Sequence, residues 1–531
     1  MRGTTHVVWF KRDLRTTDHA PLRAASEGAQ LLAVFVREPA VHGAADCAPQ
    51  HRGFIDECLA SLDAELRNQG NRLLALHGDL PEAFEQLWQR APFTHLHSHQ
   101  ETGNAATYAR DLAVARWCEA RQVVWTEYTQ DGVVRRLRHR NGWAKRWDGR
   151  NRQPPQGAVA RLPPPPVPEQ PRPDTGDRFD TAGDLALRQR GGRAAACAAL
   201  QSFLGERGQP YRRAMSSPLA GEAACSRISP YLAHGVISLR ETVAALVQRR
   251  NALQDEAPSL ARREWLASIK SFEGRLYWHC HFMQKLESEP AIEFDNMVRA
   301  FDGLRENDFN RDHFARWCSG HTGYPMVDAC MRMLNATGWL NFRMRAMLVS
   351  FAAYPLWLHW REPALHLARA FLDYEPGIHY SQMQMQSGTT GINTPRIYNP
   401  VKQARDHDPD GQFVRRWLPE LAAVPTEWLF EPWRLPTSLQ SRYGCVMERD
   451  YPVPVVDFTT SIREARSRLS EFRNRDSVKA ESRDVMDRHG SRKSGMRPAT
   501  RTPERGAQVA AGPRRKSAAP PPPQLNLDWG D

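Results

Sequence analysis

The stretch TGWLNFRMRAM (337–347), LWLHWREPALHLARAFLDYEPGIHY (356–380) and SQMQMQSGTTGINTPRIYNP (381–400) decides how the rest of the chain is read. Its first two parts are apolar helical text interrupted by Arg345, Asp373 and Glu375. A charge buried alone in such a setting is costly, so each of the three predicts a partner or a ligand. After Pro376 the text turns to Gly, Ser, Thr and Asn, which suits a loop holding a ligand between helices.

Helical periodicity extends outward on both sides. Apolar positions three and four apart recur in Ala194–Phe203, Leu239–Val247, Arg263–Gln284, Met326–Leu334 and Leu365–Leu372, and predict an all-α body over 194–475. Before it, 132–193 is basic with interleaved tryptophans and then proline-rich, so it predicts a connector over the surface, with Trp143 and Trp147 packed between domains. Residues 1–131 read differently. Apolar β-rich runs at Val7–Phe10, Leu31–Val36, Leu73–His77, Thr94–Ser98 and Val123–Trp125 alternate with helical segments, which predicts an α/β domain on a parallel sheet. No G-x-G-x-x-G follows the first strand, so this Rossmann-like sheet carries no dinucleotide fingerprint of its own.

A chain of 531 residues implies two or more domains. Lys and Arg number 72 against 60 Asp and Glu, a balance of +12 that suits a polyanionic partner, although a basic tail gives the same sum. Nine scattered cysteines form no C-x-x-C pair; they predict reduced thiols in a cytoplasmic protein, with no disulfide frame and no metal site. No apolar h-region opens the chain, and Ala346–Leu358 is cut by Pro355, so neither secretion nor a membrane span is expected.

Five motifs then carry a resemblance: TGYPMVDACMRMLNATGW (322–339), WREP (360–363), the D-x-[DE]-P turn at Asp373–Pro376, RIYNPVKQ (396–403) and DPDGQFVRRWLPEL (408–421). Together they resemble the flavin-binding core of the DNA photolyase and cryptochrome family. HVVWFKRDLRTTDHAPL (6–22) and SHQETGNAATYARDLAV (98–114) resemble its N-terminal domain. The resemblance implies FAD as cofactor and leaves open a second, light-harvesting chromophore, a folate or a deazaflavin.

The resemblance assigns residues one by one. ACSRISPYLAHGVISL (224–239) matches the segment that grips the flavin pyrophosphate, naming Cys225, Ser226, Arg227, Ile228 and Ser229, with Tyr211 upstream; Cys225 stands where Thr is usual. Taken alone, the hydroxyls at 226 and 229 would simply cap a helix. Arg345 and Asp373 match the salt bridge beside the isoalloxazine, with the backbone around Tyr374 and Glu375 also near the flavin; a purely structural ion pair is the alternative, which the matching motifs on both sides count against. His379 aligns with the residue facing flavin N5, where it would exchange a proton near neutral pH. Trp278 matches the wall on which damaged bases stack, and Phe342, Arg343, Arg396 and Gln403 match positions at the lesion or the DNA. Arg275 stands where repair enzymes of cyclobutane dimers carry Glu. Trp360 matches the middle tryptophan of the electron relay, whereas Met383 and Met385 replace two family tryptophans and Asn307 falls near the third relay position, so the relay is broken as written.

Beyond 475 the chain is rich in Arg, Ser, Pro and Gly and predicts a disordered basic tail. It ends in QLNLDW (524–529), which resembles the motif that docks bacterial repair proteins on the replication sliding clamp. Two functions follow from the resemblance. One is a DNA photolyase, a carbon–carbon lyase that repairs UV pyrimidine lesions with blue light. The other is a cryptochrome-like photoreceptor that binds FAD without repairing DNA.

Overall fold

The computed structural model describes residues 4–166 and 178–490. β1 (Thr5–Phe10), β2 (Gln30–Arg37), β3 (Leu73–His77), β4 (His95–His99) and β5 (Val124–Tyr128) form one parallel sheet in the order β3-β2-β1-β4-β5. β1 is central, with Val8 opposite Ala33 on one side and His97 on the other. Successive side chains of a strand point to opposite faces. Val8 and Phe10 therefore join Leu31, Ala33 and Phe35 under α1 (Pro49–Asn68), while Val7 and Trp9 join Leu32 and Val34 against Phe84 and Val114, the latter on α2 (Ala105–Arg121). Burial on both faces explains why these strands read as continuous apolar runs.

The first of those cores does not stop at the sheet. It continues through α3 (Trp143–Asn151) into the helical half, where Trp143 and Trp147 are buried edge-on against Tyr277. The connector thus packs between the two halves through its tryptophans. The helical half is built along α4 (Ser229–Ala233), α5 (Leu260–Ser288), α6 (Pro325–Thr337), α7 (Phe342–Ala353), α8 (Arg361–Ala370) and α9 (Pro376–Ser387). α5 is the spine, burying Ile269, Phe272, Leu276, Cys280 and Met283. α9 lies so close to it that a Cβ at Gly377 would sit 2.6 Å from the Met283 Cα, so glycine is required there.

Polar side chains fasten the two halves. Arg12 donates to the carbonyls of Ala233 and Tyr374, 2.8 Å each, and pairs with Glu375 at 3.1 Å. Arg15 donates to the Gly235 carbonyl at 2.8 Å. Gly235 has φ +62°, and a Cβ there would lie 2.2 Å from the Arg12 carbonyl oxygen. Asp13, between the two arginines, accepts from His19 Nε2 (2.9 Å) and His99 Nδ1 (2.7 Å). His19 Nδ1 in turn accepts the Leu22 amide at 3.0 Å, which places the ring proton on Nε2. Hydrogen bonds fully account for this cluster.

The expected tail from 476 is corrected by α10 (Asp476–His489). Val478 and Val485, two turns apart on one face, are buried; Glu481 accepts the amides of Arg299 and Ala300 at 2.8 Å. Two apolar anchors in a charged segment hold this helix, and composition alone hides them. The remainder of the tail, with Gln524–Trp529, lies outside the described residues. No helix among the described residues is long and apolar enough to cross a membrane.

Candidate functional site

A cavity of about 720 Å³ opens between α4, α5, α7 and α9. Tyr211, Cys225, Ser226, Arg227, Ile228, Ser229, Arg275, Trp278, Phe342, Arg343, Arg345, Asp373, Glu375 and Arg396 all line it. Residues scattered over nearly two hundred positions of sequence are therefore brought to one space.

At its first pole the chain enters α4 through Arg227, in the left-handed region at φ +60°. The Arg227 guanidinium lies 4.0 Å from the Trp339 ring centroid, and its Nε donates to Gln189 at 3.0 Å. The expected capping differs in detail. Ile228 occupies the cap position without a side-chain bond, and the Ser229 hydroxyl is bonded to the Asp373 carboxylate. Both serines still face the cavity. Burial pushes the Cys225 thiol up to about 11, so it is a neutral, weak donor there. Tyr211 is buried between Phe203 and Phe272, its hydroxyl bonded to Arg275 and pushed up to about 12 by burial.

In the middle of the cavity Arg345 and Asp373 form a two-pronged pair, Nη1 to Oδ1 and Nη2 to Oδ2, both 2.9 Å. Arg345 Nε donates to the Leu340 carbonyl at 2.6 Å, and the guanidinium stacks 4.1 Å from the Phe371 centroid. Burial alone would raise the Asp373 pKa; the charge and bonds of Arg345 outweigh it and hold the carboxyl below its usual range. Glu375 is the opposite case. Burial outweighs Arg12 and lifts its carboxyl to about 7.

Two assignments made on the sequence, His379 and Gln403, are corrected. His379 does not line the main cavity. It closes a smaller space of about 80 Å³ behind Arg345 and Asp373, and its Nε2 bonds the Ala364 carbonyl at 2.8 Å. Burial lowers its pKa to about 4, so the ring is neutral and is no proton donor near pH 7. The Tyr374 side chain points away from the main cavity: its hydroxyl donates to Asp46 at 2.7 Å and lies 3.2 Å from the Tyr380 hydroxyl. Gln403, only 7% exposed, faces inward on the helix Pro400–His407 and does not reach the cavity, and a buried amide cannot serve as a rim donor to DNA.

Trp360 is buried away from the main cavity, its Nε1 donating to Asn296 at 2.8 Å and its ring 6.5 Å from that of Tyr380. Met383 is buried beside the smaller space, Met385 lines the main cavity and Asn307 is exposed. At the second pole, Trp278 and Phe282 stack on each other 5.6 Å apart. Arg275 comes within 5.9 Å of the Phe342 ring and 3.6 Å of the Met215 sulfur. Sequence reading missed His281, Lys285 and His489 at this pole. A lysine inside the apolar text of α5 was the available signal.

The two-pole lining fits FAD: hydroxyls and Arg227 where a pyrophosphate needs donors, and a bidentate arginine pair where a flat, electron-accepting ring system needs a fixed cation. A separate space of about 110 Å³ lies at the junction of the two halves, lined by Glu38, His42, Asp46, Glu101, Arg110 and Tyr374 among others. It is far smaller than a folate or deazaflavin, and the Arg110 pairs with Glu38 (3.1 Å) and Glu101 (2.6 Å) would have to open to admit one.

The fold and cavity thus define an FAD flavoprotein with a helical cofactor domain. The family model for the FAD binding domain of DNA photolyase matches residues 272–471, and that for DNA photolyase matches 6–142. The chain is 32% identical to the deoxyribodipyrimidine photo-lyase of Streptomyces griseus, over 88% of this chain and 99% of that one. It is 30% identical to cryptochrome DASH of Natronomonas pharaonis, over 85% and 98% respectively. Among solved structures, a bacterial class III photolyase from Agrobacterium tumefaciens superposes with a TM-score of 0.76 at 23% identity, covering 90% of this chain and 99% of that one. A cryptochrome from Synechocystis gives 0.75 at 25%, covering 88% and 100%. The chain belongs to the DNA photolyase and cryptochrome family, and its cofactor is FAD.

Proposed function

We propose that the protein is a light-driven lyase that reverses UV-induced pyrimidine lesions in DNA. One observation carries this reading: the cavity does not end at the Arg345–Asp373 pair but continues to an aromatic wall, Trp278 and Phe282, flanked by Arg275, Arg343 and Arg396. An aromatic face with cations around it suits a base taken out of the stack and the strand that carries it. Bound FAD supplies a light-absorbing one-electron donor. The residues of the chain do the rest. Trp278 and Phe282 offer the stacking surface, Arg275 and Arg343 bring positive charge to the lesion, and Arg345 fixes a cation beside the ring system. Tyr211 and the 225–229 segment hold the other end of the cofactor. The domain division 1–131, 132–193 and 194–475 follows the same reading, with the helical part carrying the chemistry. All nine cysteines are unpaired, which supports a cytoplasmic setting.

A second reading is a blue-light receptor without repair. Arg275 at the position where the family resemblance expects Glu, and Met383 and Met385 in place of tryptophans, favour it. Blue-light turnover by the chemically reduced protein on oligonucleotides bearing a cyclobutane dimer or a (6-4) lesion decides between them. Product from either substrate in light and not in darkness is the expected result; none from both, with flavin bound, would leave the receptor.

A further inference from the structure

The last turns of α5 bring a buried lysine to the second pole. Trp278, Phe282 and Lys285 follow one another at spacings of four and three, so they share a face of the helix, and all three line the cavity. Lys285 is 4% exposed, and its ammonium lies 5.1 Å from the Phe282 ring centroid. Among the described residues it has no carboxylate and no hydrogen-bond acceptor.

Its surroundings are cationic or neutral from every side. Arg140, from the connector, donates to the His281 carbonyl at 2.8 Å and approaches the His281 ring at 3.4 Å. His281 lies one turn before Lys285 on α5 itself. From α10 comes His489, whose Nε2 pairs with Glu289 at 2.6 Å and whose Nδ1 is buried without a partner. Glu289, the nearby acid, is already shared with Arg488 at 2.9 Å. Burial, reinforced by Arg140, lowers the Lys285 pKa to about 7. A desolvated ammonium with cationic neighbours and no counter-charge is a standing electrostatic cost that an incoming anion would remove.

We propose that Lys285 is a specificity-determining contact to a backbone phosphate of the DNA strand whose nucleotide enters the cavity over Trp278 and Phe282. This rests on the DNA-repair reading above and adds one residue and one atom type to it. A phosphodiester, not a base carbonyl, is the fitting ligand, because the site lacks negative charge as well as a hydrogen-bond acceptor, and a phosphate supplies both. A flipped nucleotide also brings its flanking phosphates to the rim of the pocket that holds its base. His489 Nδ1 lies at the same end as a second polar contact.

The contact has a signature in pH and salt that packing would not produce. Lys285 is charged below about pH 7 and attracts the phosphate fully there; above it the neutral amine must take up a proton to bind, so affinity falls as pH rises. With flavin-loaded full-length protein, in darkness, and a duplex bearing one thymine dimer as probe, Lys285→Met is expected to weaken binding about tenfold at pH 6.5. It should also reduce the slope of log affinity on log salt by about one and flatten the pH dependence between 6 and 8.5. Lys285→Arg, whose guanidinium stays charged, should retain affinity at pH 8.5. Calorimetry of wild-type protein in two buffers of different ionisation enthalpy should show net proton uptake on binding near pH 8, a measurement that needs no variant. No uptake, or a Lys285→Met protein with wild-type salt slope and intact photorepair, overturns this contact and leaves the repair reading standing. Equal loss in both variants with flavin retained would also overturn it, by showing a packing role. Wild-type protein that retains no DNA overturns both.

Discussion

Arg345 holds Asp373 through both prongs of its guanidinium at 2.9 Å while the same group lies over the Phe371 ring, 4.1 Å from its centroid. Replacing Asp373 by Asn leaves a partly buried cation without its counter-charge, a change that typically costs about 3–5 kcal/mol. Asp373→Asn is expected to unfold at lower temperature and to lose flavin during desalting. Arg345→Lys should show a milder version of both, because an ammonium cannot reproduce the two-pronged geometry. Wild-type flavin retention in Asp373→Asn would mean that the pair is structural only.

Cys225 offers the cofactor pole a buried thiol that stays protonated. A hydroxyl is the stronger hydrogen-bond donor, and one such bond contributes about 0.5–1.5 kcal/mol net. Cys225→Thr should therefore slow flavin release roughly threefold to tenfold. Release rates after dilution into apo-flavin scavenger would measure it.

Seven histidines are held neutral by burial: His42, His97, His279, His366, His379 and His407 titrate at about 4, and His99 at about 3. Their unfolded pKa is about 6.5, so between pH 6.5 and 4 the unfolded chain binds more protons than the folded one. Stability accordingly rises with pH across that window and falls as the solution is acidified, each site contributing up to about 1.4 kcal/mol per pH unit. The unfolding temperature should drop steeply from pH 7 to pH 5. A flat profile would contradict the buried, neutral state of these rings.

Met383 and Trp360 hold the two positions that the family resemblance assigns to successive tryptophans of the electron relay. Met383 borders the 80 Å³ space behind Arg345, which gives a larger side chain room that a filled core would deny. Met383→Trp is expected to fold, and to speed flavin photoreduction by an external thiol under blue light about tenfold or more. An unchanged rate, with Trp360→Phe also unchanged, would show that electrons arrive by a route that uses neither residue.

Much of this was legible in the sequence. Four of the five strands fall within two residues of the apolar runs and β5 extends three residues past its run; the central strands are clearest because burial on both faces leaves no polar alternation to blur them. Tyr211, Cys225–Ser229, Arg345 and Asp373 converge as their motifs implied. What failed was orientation. A motif fixes where His379 sits on α9 but not which way its ring turns, and the Ala364 carbonyl decides that. Gln403 failed for the same reason. α10 was hidden because Val478, Val485 and His489 are its buried residues amid charge, and the setting of Lys285 because it is assembled from residues near 140, 281 and 489, far apart in the chain.

The Arg12 side chain spans from the sheet to Ala233, Tyr374 and Glu375, and Gly235 is pressed against its own carbonyl. Glu375 is one of the residues lining the flavin chamber. The first domain is therefore not a detachable accessory. A truncation that removed it would strip Glu375 of the Arg12 cation and breach the chamber from behind, so the sheet domain is itself part of the chamber wall.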